Sequence, residues 1–377
     1  MRSNDRPAKC AWFTDTIDDL NGVARTVRTM GAAAGKLGHD LTVVTCRPEN
    51  GEPLPHNRKN FRPVMKFALP KYPSLTVTVP PFLSLYRFLR QGQFGKVIVS
   101  TPGPVGLSAL VAAKLLGIRS VGIDHTDFPQ YIRYLTGSRV FSSLATQMMK
   151  LIYGRFDTVF VNSEFYRRRW MEQGFAAEKL HILPRGLDTG LFNYRRREED
   201  FWRKRGANHQ VLLYVGRVSK EKELGFLANI YQELKKANAP VDLAIVGEGP
   251  YLEEMRALVP TAICTGPMNG DELGAAYASA DLFMFPSTTD TFGNVVIEAV
   301  SSGLPVFVSD VGGPKELISG SLGKVLPAGN LTEWVNAVQD WLQAPTSRET
   351  LTANAEQIQR ERNWDNAVEK FWSLTMG

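Results

Sequence analysis

Residues 285–306 read Phe-Pro-Ser-Thr-Thr-Asp-Thr-Phe-Gly-Asn-Val-Val-Ile-Glu-Ala-Val-Ser-Ser-Gly-Leu-Pro-Val. The apolar run Asp281–Phe285 just before reads as a buried parallel strand. Pro286 ends that strand, Gly293 supplies a permissive turn, and a helix follows to about Ser302, where Gly303 and Pro305 stop it. The helix is apolar nearly all round, yet Glu298 sits in it. A carboxylate there is costly unless it has partners. Helical side chains lean toward the N-terminus, so Glu298 is expected to reach the mouth formed by the amides of Phe292, Gly293, Asn294 and Val295. That mouth favours an anion through its dipole and its unpaired N–H groups, and Asp290 stands on its other side.

Amides for a phosphate and acceptor-only carboxylates for hydroxyl pairs suit a sugar nucleotide. A capped core helix with an ordinary ionic partner is the alternative. Working outward, the second half alternates strand and helix. Gln210–Gly216 is a strand, and Arg217-Val-Ser-Lys-Glu-Lys222 leads from it into a helix. Val241–Gly247 is a strand followed by Gly247-Glu-Gly249-Pro, and Ala262–Thr265 is a strand followed by Gly266. Arg217 and Lys222 stand at the carboxyl end of this sheet, where two cations suit a diphosphate. A lysine-rich helix start is disfavoured by the macrodipole, which argues mildly for a bound anion.

The first half alternates in the same way. Residues 8–16 form a first strand, Ile17–Gly22 a loop, Val23–Leu37 a helix and His39–Cys46 a second strand. Gly22 lies where strand hands over to helix, the ligand position of doubly wound folds. Residues 47–80 are proline-rich and basic and read as irregular loops and short strands. Pro80–Arg90 is a short amphipathic helix, read as core packing before lipid contact. Arg119–Asp124 is a strand, and His125 follows at its carboxyl end, which favours function over a purely structural histidine. Residues 138–154 form an amphipathic helix, and the helix after Ser163 carries Tyr166-Arg-Arg-Arg-Trp170, either a solvated basic face or a dock for an anionic surface. The tail is helical from Trp334 to Trp372 with breaks.

The expected architecture is α/β, two Rossmann-like domains with parallel sheets facing a central cleft. Residues 1–190 are the acceptor-side domain, 191–206 the linker, 207–355 the donor domain and 356–377 a helix packing back on the first domain. A length of 377 residues, 44% hydrophobic, fits two globular cores. Cys10, Cys46 and Cys264 show no metal spacing and read as buried thiols of a reducing compartment. With no N-terminal apolar segment and no run of 18 apolar residues, the expected location is cytoplasmic, with peripheral contact to the inner membrane face. Residues 1–200 hold 29 Lys+Arg against 17 Asp+Glu, and residues 201–377 hold 15 against 21. A basic front half implies an acidic partner, a membrane face or glycan before nucleic acid, for which no module is present.

Taken together, Arg217-x4-Lys222, Gly247-x-Gly249-Pro and Asp290-x7-Glu298 with Phe292-Gly293 inside resemble the retaining family-4 glycosyltransferases of the GT-B fold. That family's usual form is Glu-x7-Glu, so Asp290 reaches one methylene less. Thr14-Asp15-Thr16, Asn21-Gly22-Val23-Ala24-Arg25-Thr26 and His125-Thr-Asp-Phe-Pro-Gln-Tyr131 are similar to the lipid-directed branch of GDP-mannose-dependent α-mannosyltransferases and, more distantly, sulfoquinovosyl-diacylglycerol synthases. The resemblance implies that Arg217 and Lys222 bind the donor diphosphate and that Glu298 accepts from the ribose hydroxyls. It gives Asp290 and the amides of Phe292–Val295 the donor sugar and phosphate. Gly22 lets a loop approach the diphosphate, and His125 meets a sugar hydroxyl. The base, GDP- or UDP-linked, lies by Gly247, Gly249 and Gly266, and the acceptor is a lipid or glycan. Front-face transfer with retention is implied. With no Asp-x-Asp at a strand end, no metal and no other cofactor is expected. A dehydrogenase lacks its third glycine here. A GT-B phosphorylase or epimerase lacks the Asp-x7-Glu set, and a non-catalytic nucleotide-sugar-binding subunit remains as an alternative.

Overall fold

A computed structural model describes residues 9–17, 22–48, 57–69, 72–125 and 127–376. The chain forms two compact units, Met1–Gly186 with Trp364–Gly377, and Leu187–Asn363. In the first, β1 (Cys10–Phe13), α1 (Gly22–Lys36), β2 (Leu41–Cys46), β3 (Asn57–Phe61), β4 (Met65–Leu69), β5 (Tyr72–Val79), α2 (Phe82–Gln91), β6 (Lys96–Val99) and α3 (Pro104–Leu116) come first. They are followed by β7 (Arg119–Asp124), α4 (Phe128–Thr136), α5 (Arg139–Tyr153), β8 (Thr158–Val161), α6 (Glu164–Glu172) and β9 (Leu180–Ile182). Seven strands build one parallel sheet in the order β3-β2-β1-β6-β7-β8-β9, and β4 with β5 forms a separate antiparallel pair.

Runs such as Cys10–Phe13 and Lys96–Val99 are buried throughout because helices cover both faces of the sheet. One face packs under α2, α3, α5 and α6. The other packs under α1 and the last helix, where Trp12 stacks on Phe371 at 5.5 Å and Phe160 packs against it, tilted, at 4.9 Å. Burying a side chain of that size stabilises by roughly 2–3 kcal/mol.

The second unit runs through β10 (Gln210–Val215), α7 (Leu224–Lys236), β11 (Val241–Val246), α8 (Leu252–Leu258), β12 (Ile263–Gly266), α9 (Gly270–Ala278) and β13 (Leu282–Phe285). It continues through α10 (Asn294–Ser301), β14 (Val306–Ser309), β15 (Gly323–Leu326), α11 (Leu331–Gln343) and α12 (Arg348–Glu361). Its parallel sheet has the order β12-β11-β10-β13-β14-β15, so the strand order reverses between β10 and β13. The final helix, α13 (Trp364–Met376), belongs to the first unit.

Three expectations need correction. Residues 191–206 are no linker: Phe192, Phe201 and Trp202 are buried in the core of the second unit, and Trp202 Nε1 donates to the Ala276 carbonyl at 3.1 Å. Aromatic burial outweighed the charged run that suggested a solvated connection. The segment that packs back on the first unit begins at residue 364 and not at 356: α13 joins the first unit as expected, whereas residues 356–361 are the end of α12 in the second. The Tyr166–Trp170 segment is not an open basic face. Tyr166 and Trp170 are buried, Arg167 bonds Glu164 and the Leu180 carbonyl, and Arg169 pairs with Asp127. Among the described residues no helix is long and apolar enough to cross a membrane.

Candidate functional site

In the second unit, ligands are expected outside the carboxyl ends of β10 and β13, the topological switch point. The loop after β10 carries Arg217 and ends in a 3-10 turn, Lys220–Lys222. The loop after β13 carries Asp290. These two loops meet: Lys222 Nζ donates to Asp290 Oδ1 at 3.0 Å and Oδ2 at 2.9 Å. Both side chains keep about a fifth of their surface exposed, 19% and 22%, so the pair is accessible. Thr289 Oγ1 adds a bond to the Glu221 carbonyl at 3.0 Å. Arg217 stands exposed on the same loop, with no acidic partner among the described residues.

Asp290 is braced from behind. Gly313 N donates to its carbonyl at 3.0 Å, and a Cβ at Gly313 would stand 2.1 Å from the Thr291 carbonyl oxygen. Gly293 then turns the chain into α10 at φ 90°, left-handed backbone that a side chain rarely adopts. Asn294 and Val295 open the helix half-exposed, with their N–H groups in its first turn. Glu298, one turn later, is 4% exposed, and its Oε2 accepts from Tyr277 Oη at 3.1 Å.

The loop Gly247–Pro250 lies directly against the Arg217 loop. Val218 N donates to the Glu248 carbonyl at 2.8 Å, and Tyr251 N donates to the Val218 carbonyl at 3.0 Å. A Cβ at Gly247 would stand 1.9 Å from the Gly216 carbonyl oxygen, so glycine is demanded by close backbone approach. Gly247 N also donates to the Gly266 carbonyl at 2.9 Å, which joins the ends of β11 and β12. The structure thus gathers Arg217, Lys222, Gly247, Gly249, Gly266, Asp290, Phe292, Gly293, Asn294, Val295 and Glu298 at the carboxyl edge of one sheet.

In the first unit, His125 follows β7 and faces a buried cation absent from the sequence expectations. Arg185 donates to Thr26 Oγ1 at 2.5 Å and Asn162 Oδ1 at 2.6 Å, and its Nη2 lies 3.4 Å from His125 Nδ1. Asn162 Nδ2 donates to the His125 carbonyl at 2.8 Å. Burial, reinforced by the Arg185 charge, holds the His125 imidazole well below its usual range. Burial also pulls Arg185 down to about 10. The signal for Arg185 was its place: Pro184-Arg185-Gly186 follows the last strand at the carboxyl end of the sheet, where His125 also lies.

Asp15 has a structural task. Its carboxylate accepts from Thr101 Oγ1 at 2.7 Å and Val105 N at 3.1 Å, and so fills the N-terminus of α3 from within the chain. Gly22 begins α1. Asp18, Asp19, Asn21 and Thr126 lie outside the described residues.

Comparison with known proteins gives the family and the fold. Residues 209–344 match the family described as "Glycosyl transferases group 1", and residues 20–191 match "Glycosyltransferase Family 4". The chain is 32% identical to sulfoquinovosyl transferase SQD2 of Arabidopsis thaliana over 72% of its own length and 54% of that protein's. It is 30% identical to a GDP-mannose-dependent alpha-mannosyltransferase of Mycobacterium tuberculosis over 83% of its length and 82% of the relative's. In structure it resembles sucrose-phosphate synthase of Thermosynechococcus elongatus with a TM-score of 0.72, at 21% identity and 98% coverage of each chain.

Proposed function

The chain belongs to the family-4, group 1 glycosyltransferases and has their GT-B fold, and from that premise we propose that it moves a hexose, mannose or a near relative, from a nucleoside-diphosphate sugar to a lipid or glycan acceptor with retention of configuration. The observation that carries this reading is the Lys222–Asp290 pair beside exposed Arg217 at the switch point of the second sheet.

In this reading Arg217 and Lys222 hold the diphosphate and take up the charge that grows on it. Preorganised cations at a departing anion supply electrostatic stabilisation with little reorganisation. Asp290 accepts from donor-sugar hydroxyls, and the amides opening α10 take a phosphate oxygen. Glu298 accepts from the ribose, and His125 meets a sugar hydroxyl. The bond from the anomeric carbon to phosphate oxygen breaks as the bond to the acceptor oxygen forms on the same face. The acceptor proton passes to the departing phosphate. Two cations at the diphosphate do the work a metal would do, so transfer proceeds without one.

The name of the mycobacterial relative supports a donor such as GDP-mannose, and that of a more distant relative, the alpha-monoglucosyldiacylglycerol synthase of Streptococcus pneumoniae, supports an acceptor on lipid. The enzyme is then cytoplasmic and peripheral on the membrane that holds its acceptor. A thermal-shift screen with GDP, UDP, ADP, dTDP and their sugars, with chelator present, tests this. A ligand at a hundredfold excess over its Kd raises stability by about 3 kcal/mol. A GDP or GDP-mannose shift supports the mannosyl reading, and a UDP-sugar shift moves the donor while keeping the chemistry. No shift with any of them overturns the donor site, and a shift that needs added divalent metal overturns metal independence.

A further inference from the structure

From Pro53 to Phe156 the chain holds fourteen Lys and Arg but only two acidic residues, Asp124 and Asp127. Both acids are engaged within the fold, Asp124 by Trp170 Nε1 at 2.8 Å and Asp127 by Arg169 and the start of α4. The helices α2, α3, α4 and α5 contain no Asp or Glu at all.

Three of these helices, α2, α3 and α5, pack their inner sides on one face of the first sheet. Their outer sides therefore point away from that sheet in the same sense. The outer sides of α3 and α5 are rich in apolar residues, whereas α2 contributes one leucine among polar and basic residues. On α5, Ala145, Met149 and Tyr153 are buried, whereas Val140, Phe141, Leu144, Met148 and Leu151 stand exposed, Val140 by 68% and Leu151 by 63%. On α3, Leu107, Val111 and Leu115 repeat every fourth residue and are exposed, as is Leu83 on α2. Exposed cations frame them: Arg139 and Arg155 at either end of α5, and Arg87 and Arg90 on α2. A soluble protein rarely exposes this many large apolar side chains on helices that cover one face of a sheet. Apolar residues bounded by long cations, with the nearby Asp157 engaged by Lys114 of α3 at 2.8 Å, suit the boundary between lipid headgroups and acyl chains.

We propose that the outer layer of α2, α3 and α5 is a docking surface for an anionic lipid bilayer. This deepens the lipid-acceptor reading above and places the contact on helices other than the arginine-rich α6, whose Arg167 and Arg169 are consumed by internal bonds. A second copy of the chain is a poorer occupant, because a two-fold contact would set one acid-free cationic layer against another.

The test is sedimentation with vesicles of phosphatidylcholine, with and without phosphatidylglycerol, at low and physiological salt and without nucleotide sugar. The protein is expected to bind the phosphatidylglycerol vesicles and to release as salt rises. Leu144→Gln with Leu151→Gln should weaken partitioning by at least about tenfold, through loss of buried apolar area. Arg139→Gln with Arg155→Gln should weaken it and flatten its salt dependence. Arg168→Gln on α6 should change neither. Melting temperatures equal to that of the parent protein establish that the variants fold, as expected at exposed positions. No binding to anionic vesicles at low salt overturns the proposal, as does unchanged binding by the leucine variant. A dimer in solution that the leucine variant dissociates overturns it in favour of self-association. Because no nucleotide sugar is present, failure here leaves the donor reading standing, and a failed nucleotide shift leaves the vesicle result standing.

Discussion

Gly249→Ala should damage catalysis by pushing on a loop rather than by removing a chemical group. A Cβ at Gly249 would lie 2.2 Å from the carbonyl oxygen of Val218 and 2.9 Å from its nitrogen, both backbone atoms with no rotamer to escape through. An ordinary carbon–oxygen contact needs about 3.3 Å, so Val218 must retreat by about 1 Å. That retreat strains the bonds from Val218 N to the Glu248 carbonyl and from Tyr251 N to the Val218 carbonyl. Val218 follows Arg217 directly and precedes Lys222 by one short turn, so both cations move with it. A misplacement of about 1 Å costs roughly a hundredfold in rate, or about 2.7 kcal/mol in the barrier. Overpacking should lower stability by about 1–3 kcal/mol as well. The assay is kcat/KM with the donor found by thermal shift, alongside the melting temperature. Gly320→Ala is the control, since φ is 55° there and a Cβ would meet nothing within 4 Å. It should lose about 1 kcal/mol of stability and leave the rate alone. A Gly249→Ala enzyme with kcat/KM within about twofold of the parent would refute the coupling between the two loops.

Lys222→Ala should lower kcat/KM by roughly 10²–10³-fold, the loss expected for one preorganised charge at the leaving group. It should cost about 1 kcal/mol or less of stability, since both partners of the pair remain partly in water; a variant that transfers at the parent rate would remove Lys222 from the mechanism. For His125, the folded-state pKa lies below the unfolded one, so the unfolded chain takes up a proton near pH 6.5 that the folded chain refuses. Its contribution to stability is therefore complete above about pH 6.5 and is lost as pH falls toward the folded value. Melting curves across that range should show this slope in the parent and a shallower one in His125→Asn; equal slopes would dissociate His125 from the effect.

Local pattern carried much of the fold. Strands such as Arg119–Asp124 were legible as short apolar runs, and glycines or prolines marked the ends of α3 and α10. The helix α4 was not, because Phe128–Thr136 is short for a clear helical period, even though Asp127 caps it and Pro129 stands in its first turn. In the second unit the position of each site residue followed from one rule, that loops at the carboxyl ends of parallel strands meet ligands. The rule named Lys222 and Asp290 without stating that they touch. Arg185 obeyed it too, yet a single arginine between a proline and a glycine gives no periodic or spacing signal. Tyr277 lies inside α9, and nothing local distinguishes it from a core aromatic.

What the sequence by itself determined is the set of elements and their chemistry: alternating strands and helices, two cations after one strand, and two carboxylates eight residues apart after another. These are properties of neighbours along the chain, where hydrophobic period, turn residues and helix geometry act. Only the tertiary structure decided which distant residues meet. It set Lys222 against Asp290, Arg185 beside His125 and Asp15 at the start of α3. It spent the arginines of α6 on internal partners and left the leucines of α5 facing outward. The reason is physical: burial and pairing depend on which surfaces the sheet order brings together, and the free energy of a charge or an apolar side chain is set by that surrounding.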